Sequence, residues 1–119
     1  MKGRGFLLAS AAALTLTFAT AANAQAERFL SRATAQSNAA DDATTRYGDT
    51  LGFEYSDVEA FCQPQFRPYQ SGYLYEKWAC TWSASFADGG YCHGRVRIRG
   101  RVGRAGDYYS RVIRGASCD

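Results

Sequence analysis

The sequence has 119 residues, a formal net charge of +3 at pH 7, four cysteines and a single histidine. This length limits the chain to one small domain. A lone histidine and the absence of any Cys-x-x-Cys spacing argue against a zinc site, so we predict no metal and no cofactor.

The first 24 residues are typical of a secretory signal peptide. Lys2 and Arg4 precede an apolar run over residues 6–18, and small residues surround the predicted cleavage site after Ala24. The apolar run is too short for a membrane anchor, although an uncleaved signal anchor is an alternative. We therefore expect a secreted or periplasmic protein with no integral membrane segment after signal cleavage.

Residues 25–119 are then expected to form the single domain. Four cysteines in an exported chain of this size predict two disulfides, which support a marginal core. Charge is unevenly distributed in this domain. Residues 25–76 hold eight acidic and four basic side chains, whereas residues 77–119 hold three acidic and eight basic ones. The basic character therefore belongs to the C-terminal part.

The N-terminal part of the domain shows helical periodicity. Ala26, Phe29, Leu30 and Ala33 recur at helical spacing, which predicts a helix over residues 26–40.

The segment that follows this helix gives weaker signals. Residues 41–46 indicate a polar connection or a second short helical turn, and residues 51–53 indicate a short strand. Residues 56–59 resemble a capping box, which predicts a helical turn that ends at Pro64. Residues 64–72 then read as a loop.

Three strands are predicted after residue 72. Period-2 alternation with aromatic enrichment over residues 74–86 indicates the first strand, and an Asp-Gly turn at 88–89 leads into the second. The second strand covers residues 92–102, and a glycine-containing turn separates it from a third strand over residues 107–114. Trp78 and Trp82 fall on one face of the first strand, which we expect to be the core face.

The cysteine pairing follows from the register of the last two strands. If Val102 pairs with Tyr108, Cys92 lies opposite Cys118. Directly opposed residues have Cβ atoms about 4.5–5.5 Å apart, close to the span of a disulfide. We therefore favour Cys92–Cys118 and, by elimination, Cys62–Cys80, although four cysteines allow three connectivities.

These elements predict an α+β fold in which an N-terminal helix packs on a three-stranded or four-stranded antiparallel meander with two disulfides. The helix is expected to cover the face that contains the two tryptophans. The opposite face is expected to be exposed to solvent.

The exposed face is predicted to be basic. Four arginines alternate along the second strand, so they lie about 7 Å apart and repel one another, because salt screens charges only partly at that distance. This arrangement predicts a site for an anionic partner, such as an acidic protein, a glycan, a lipid headgroup or nucleic acid. The residues of this predicted site are Arg95, Arg97, Arg99, Arg101, Lys77, Tyr75 and His93.

Two alternatives give the arginines no binding role. They are charged gatekeepers on a solvated strand, or they pair internally with acidic side chains such as Asp41, Asp42 or Glu59.

Two other functional classes are kept as alternatives, and no catalytic residue is assigned. The run 73–76 is similar to the catalytic-base strand of small secreted guanyl-type ribonucleases, and 107–109 to a segment near their C-terminus. That resemblance implies a ribonuclease-like hydrolase that uses Glu76 and His93. However, no histidine follows His93 in the chain. Strand parity also puts Glu76 on the face of the sheet opposite to His93 and the arginines. The other class is an inhibitor or interaction protein of the cell envelope, for which the edge strand over 107–114 could pair with a partner strand.

Overall fold

The computed structural model describes residues 28–68, 74–101 and 107–119. The predicted signal peptide, the first residues of the predicted helix and the predicted Val102–Tyr108 pair therefore lie outside, or partly outside, the described residues.

The helical part begins later and continues further than the sequence pattern indicates. Helix α1 spans Arg32–Ala43, and Ser31 caps its N-terminus by accepting a hydrogen bond from the Thr34 N–H. A π-helical turn over Thr44–Gly48 and a short helix α2 over Asp49–Leu51 extend it. Gly52 ends this run with φ +86°, a conformation that favours glycine. The strand predicted over residues 51–53 is therefore wrong.

The sheet has four antiparallel strands in the order β1-β2-β3-β4, which confirms the predicted meander. The strands are β1 Val58–Pro68, β2 Tyr75–Ser85, β3 Tyr91–Gly100 and β4 Tyr108–Cys118.

Strand β1 replaces the helical turn and most of the loop that the sequence pattern predicts. The capping box predicted over residues 56–59 is wrong, because Val58 and Glu59 lie in β1. A different capping box joins Glu54 and Asp57 around a single 3-10 turn, Tyr55–Asp57. Pro64 then lies within β1 opposite Trp78. Proline is tolerated there because β1 is at the edge of the sheet, where a missing N–H breaks no ladder hydrogen bond.

Helix α1 packs on the sheet through small side chains. Ala35, Ala39 and Ala43 recur at helical spacing and are fully buried. Opposite them lie Trp78 and Trp82, each only 2% exposed. The alanines allow the helix to approach closely, since the carbonyl oxygen of Ala35 lies 4.0 Å from the Cys80 sulfur. Both tryptophans are therefore core residues, as predicted.

Gly94 in β3 makes room for one of these indoles. A Cβ atom at Gly94 would lie 2.8 Å from the ring of Trp82, which is closer than real Cβ contacts. Trp82 also packs against the rings of Tyr47 and Phe53, at 5.5 and 5.8 Å between centroids.

Both predicted disulfides, Cys62–Cys80 and Cys92–Cys118, are present. The register next to the second one differs from the simple prediction. Gly100, two residues before Val102, lies opposite Tyr108. Two irregularities follow, each adding one residue to β4, and together they bring Cys92 opposite Cys118. The predicted pairing is therefore correct although the sheet is not regular between the turn and the disulfide.

Candidate anion-binding face

Among the side chains that the structure describes, six basic ones lie on the face of the sheet that α1 does not cover, and we call this group the basic face. They come from the three consecutive strands β2, β3 and β4. The basic face consists of Lys77, Arg95, Arg97, Arg99, Arg111 and Arg114.

The strand register brings these side chains together in pairs. Arg95 lies opposite Arg114, and Arg97 lies opposite Arg111. Lys77 lies opposite Arg99 in the next row. Directly opposed Cβ atoms are about 4.5–5.5 Å apart, and successive rows on one face are separated by about 7 Å. The result is a compact patch, with charges closer across the strands than along them.

Part of the basic face lines a depression of about 360 Å³. Its walls are formed by Lys77, Arg97, Arg99, Tyr109, Ser110 and Arg111. Guanidinium groups donate hydrogen bonds in a planar fork that matches carboxylate and phosphate oxygens. The depression therefore combines a recess with the donors that an anion requires.

Four arginines of the basic face form no ion pair with a carboxylate in the described chain. Arg95, Arg111 and Arg114 form no ion pair with any carboxylate among residues 28–68, 74–101 and 107–119. Arg97 donates its Nε–H to the neutral amide oxygen of Gln65 at 3.1 Å. Among the arginines of the basic face, Arg99 contacts an acid, with its Nε 3.3 Å from the Oε1 of Glu76.

Two acidic residues of the N-terminal part, Asp41 and Asp42, contact groups outside the basic face. Asp42 forms an ion pair with Arg46 at 2.9 Å, one helical turn away. Asp41 accepts a hydrogen bond of 2.7 Å from the Tyr108 hydroxyl. Burial and this contact with a carboxylate raise the pKa of Tyr108. Among the arginines of the predicted site, internal pairing with the acidic half therefore applies to Arg99 alone within the described structure.

Glu76 is held between two cations, Arg28 and Arg99, each with Nε 3.3 Å from Oε1. Burial alone would raise the pKa of Glu76. The hydrogen bond and the charge of Arg28, together with Arg99, outweigh burial and lower that pKa below its usual value. Glu76 is thus an ionised partner in a surface ion-pair network.

Three residues of the predicted site lie away from the centre of the basic face. Arg101 forms an ion pair with Asp107 at 3.4 Å. The ring of Tyr75 packs edge-on against Trp78 with centroids 5.3 Å apart, so Tyr75 belongs to the margin of the core. His93 is two residues before Arg95 on the same face, and its ring lies 5.7 Å from that of Tyr91.

The predicted site omitted two arginines that the structure adds. Arg111 could be recognised only once the facing of β4 was known. Simple alternation would put Arg114 on the same side as Val112, but the irregularity between them turns Arg114 to the basic face. No signal in the sequence marks the position of that bulge.

The geometry does not bring Glu76 and His93 together. His93 lies opposite Ser83, which is seven residues from Glu76 along β2. At the rise of a β-strand this separation is about 23 Å. A general acid and a general base must both reach one substrate bond, which these two residues do not.

Nothing else in the described residues indicates a particular chemistry. No group of three or more His, Cys, Asp or Glu side chains there is placed to hold a metal ion. No helix among residues 28–68, 74–101 and 107–119 is long and apolar enough to cross a membrane.

No protein-family model matches the sequence, and neither a curated protein nor a solved structure shows significant similarity to the chain.

Proposed function

We propose that this protein is a non-enzymatic binding module that holds an anionic partner on its basic face. The observation that supports this proposal is the side-by-side arrangement of arginines without counter-charges. Arg111 and Arg114 each lie opposite another arginine, and no acid in the described chain neutralises either residue. Like charges directly opposite one another destabilise a sheet, so an anion that binds between them relieves a repulsion present in the free protein.

The types of side chain on the basic face favour binding over catalysis. A guanidinium remains protonated at any physiological pH, so arginines supply charge and hydrogen bonds but no proton transfer. The only histidine lies at the margin of the basic face. A ribonuclease-like hydrolase, which would need paired acid and base groups, is the second candidate function.

We also propose that the protein acts in the cell envelope or outside the cell. Two disulfides in a small domain are typical of an oxidising environment. The signal peptide predicted over residues 1–24 would deliver the chain to such a compartment.

The experiment measures binding of two labelled polyanions, single-stranded RNA and polyglutamate, to the oxidised protein by fluorescence anisotropy. The test variant replaces Arg95, Arg111 and Arg114 with glutamine. We expect it to lose at least about tenfold in affinity at low salt for both probes. For RNA, the slope of log affinity against log salt should fall in magnitude by about two, as expected when three phosphate contacts are lost.

A matched control removes the same net charge elsewhere. It replaces Arg28, Arg46 and Arg101, which form ion pairs with Glu76, Asp42 and Asp107 respectively. If the control loses as much affinity as the test variant, binding follows net charge and the proposed site is wrong. A gel of the RNA after the titration separates the two candidate functions, because cleaved RNA would support the hydrolase.

A further inference from the structure

The two edges of the sheet are treated differently by the rest of the molecule. Strands β1 and β4 are the edge strands, and each presents alternate backbone N–H and C=O groups outward. Which residues present these groups can be derived from the disulfides.

Each disulfide joins two directly opposed residues whose Cα atoms are 4.0 Å apart. Such a short separation is typical of the non-hydrogen-bonded pairs of an antiparallel ladder. The peptide groups of Cys62 therefore point away from β2, toward the outer edge of β1. Cys92 likewise forms a non-hydrogen-bonded pair with Cys118, so its peptide groups point away from β4. Because the direction alternates along β3, the peptide groups of Val96, Ile98 and Gly100 also point away from β4.

The residues opposite these on β4 therefore direct their peptide groups outward. Val96 lies opposite Val112, Ile98 opposite Ser110, and Gly100 opposite Tyr108. The outer edge of β4 is thus formed by the backbone groups of Tyr108, Ser110 and Val112.

The β1 edge is closed by the protein itself. Arg32 donates its Nε–H to the carbonyl oxygen of Cys62 at 3.1 Å, and the N–H of Cys62 donates to Oε1 of Gln36 at 3.3 Å. Two residues further along, Pro64 has no N–H to offer. Two helix side chains and a proline therefore block pairing of another strand with this edge.

The β4 edge remains open over five residues. Among its outward groups, only the N–H of Tyr108 has a partner, the Asp107 carboxylate at 3.1 Å. The outward groups of Ser110 and Val112 have no backbone partner beyond the sheet in the described chain. Between Tyr108 and Val112 the strand pairs with β3 without irregularity. An 11-residue edge strand with a regular, unprotected segment is a template for strand addition.

We infer that an extended acidic segment of a partner protein pairs antiparallel with β4 along Tyr108–Val112 as a fifth strand. This inference rests on the proposed function and specifies its partner class. Alternate side chains of an added strand repeat every 7 Å or so on one face, the same spacing as the rows of the basic face. Carboxylates at those positions lie beside Tyr109 and Arg111, and near Arg114. The other face of the added strand lies beside Val112, which is 37% exposed and favours an apolar residue.

Charge argues against a second copy of this chain as the occupant. Pairing two β4 edges would join two basic faces into one continuous surface that contains twelve basic side chains. Such like-charge juxtaposition disfavours association, whereas an acidic strand neutralises the same surface.

The test uses a labelled peptide of alternating glutamate and valine, titrated against the oxidised protein by fluorescence anisotropy. If glutamates lie over the basic face in an antiparallel pair, the valine amides point at β4 and the glutamate amides point away. N-methylation of the valine amides should therefore reduce affinity by at least about tenfold, since several backbone hydrogen bonds are lost. N-methylation of the glutamate amides, the matched control, should change affinity less than about threefold. Equal effects of the two methylations would overturn the inference.

Two variants test the same edge from the protein side. Val112→Pro removes an outward N–H without removing a ladder hydrogen bond, so it should fold and bind the peptide at least about tenfold more weakly. Val112→Thr keeps the N–H and should bind within about threefold of the wild type. Circular dichroism and the melting temperature show whether Val112→Pro is folded. If that variant does not fold, the methylated peptides decide.

The outcomes separate the two proposals. One outcome is that RNA, the alternating peptide and a peptide with its glutamates in one block all bind with similar affinity. If replacing Arg111 then weakens binding and Val112→Pro does not, the basic face is correct and the fifth strand is wrong. If no polyanion binds, both are wrong. If the protein alone dimerises through β4, as sedimentation of wild type and Val112→Pro would show, the edge belongs to a second copy and the inference is overturned.

Discussion

Arg97 of β3 lies directly opposite Arg111 of β4, on the face of the sheet that the helix leaves uncovered. Neither guanidinium contacts a carboxylate in the described chain, and Arg97 has only the amide oxygen of Gln65 as a partner. The free protein therefore holds a like-charge pair that its own residues do not neutralise. This relationship leads to predictions about stability as well as binding.

Replacing Arg111 with glutamine should stabilise the free protein. The change removes one charge of the opposed pair, and cross-strand charge effects are about 0.5 kcal/mol. We expect the midpoint of urea unfolding to rise at low salt, with a difference that shrinks in high salt. Arg101→Gln is the control, because Arg101 is paired with Asp107 and its removal should give no gain. A destabilised Arg111→Gln protein would indicate that the guanidinium has a partner.

Gly94→Ala should destabilise the fold. The added Cβ would contact the Trp82 indole, and overpacking of this kind costs about 1–3 kcal/mol. Gly115→Ala in β4 is a suitable control, since its Cβ would meet nothing nearer than the Tyr47 hydroxyl at 3.9 Å. Urea unfolding of both variants provides the comparison. Equal stability of the two would mean that the indole can move away without cost.

The two disulfides should open in a defined order. Cys118 is exposed, whereas Cys62 and Cys80 are fully buried. Reduction requires a thiolate to reach one sulfur, so limited dithiothreitol under native conditions should break Cys92–Cys118 first. Alkylation followed by peptide mass mapping identifies the free cysteines. Early appearance of alkylated Cys62 or Cys80 would contradict the described burial.

Stability should depend on pH through Glu76. Because its pKa is lowered in the folded protein, its carboxylate contributes stability above the unfolded value of about 4.5, and that contribution is lost as the pH falls through the lower folded value. Its partners are substantially exposed, so we expect less than about 1 kcal/mol. In urea unfolding, the free energy of unfolding of Glu76→Gln should be lower than that of the wild type at pH 6 and similar to it at pH 3. Glu59→Gln controls for the loss of one acidic charge, and a difference for Glu76→Gln that persists at pH 3 would count against the ion-pair explanation.

Much of the fold could be predicted from the sequence because the pattern and the packing agree. Alternation around Trp78 and Trp82 identified the core face of β2. The assumed register of the last two strands led to Cys92–Cys118, and Cys62–Cys80 followed by elimination. Strand β1 was missed because the capping box and Pro64 resemble helix boundaries, and only the place of β1 at the sheet edge makes proline acceptable there.

The candidate site was predictable only where the strands are regular. Arg95, Arg97 and Arg99 alternate with core residues, so their facing follows from parity. Arg114 reaches the same face through a bulge in β4, and Tyr75 leaves it to pack on Trp78. Both deviations occur where the strand register is irregular, which the alternation of residues in the sequence does not indicate.

Anions that bind on the basic face should change the environment of its arginine side chains. The most direct test is a titration of isotope-labelled, oxidised protein with a short polyglutamate peptide, followed by the arginine side-chain Nε–Hε signals in NMR spectra at low salt. We predict that the signals of Arg95, Arg97, Arg111 and Arg114 shift together and saturably, while those of Arg28 and Arg46 do not. Shifts confined to Arg28 and Arg46, or uniform small shifts of all arginines, would contradict the claim.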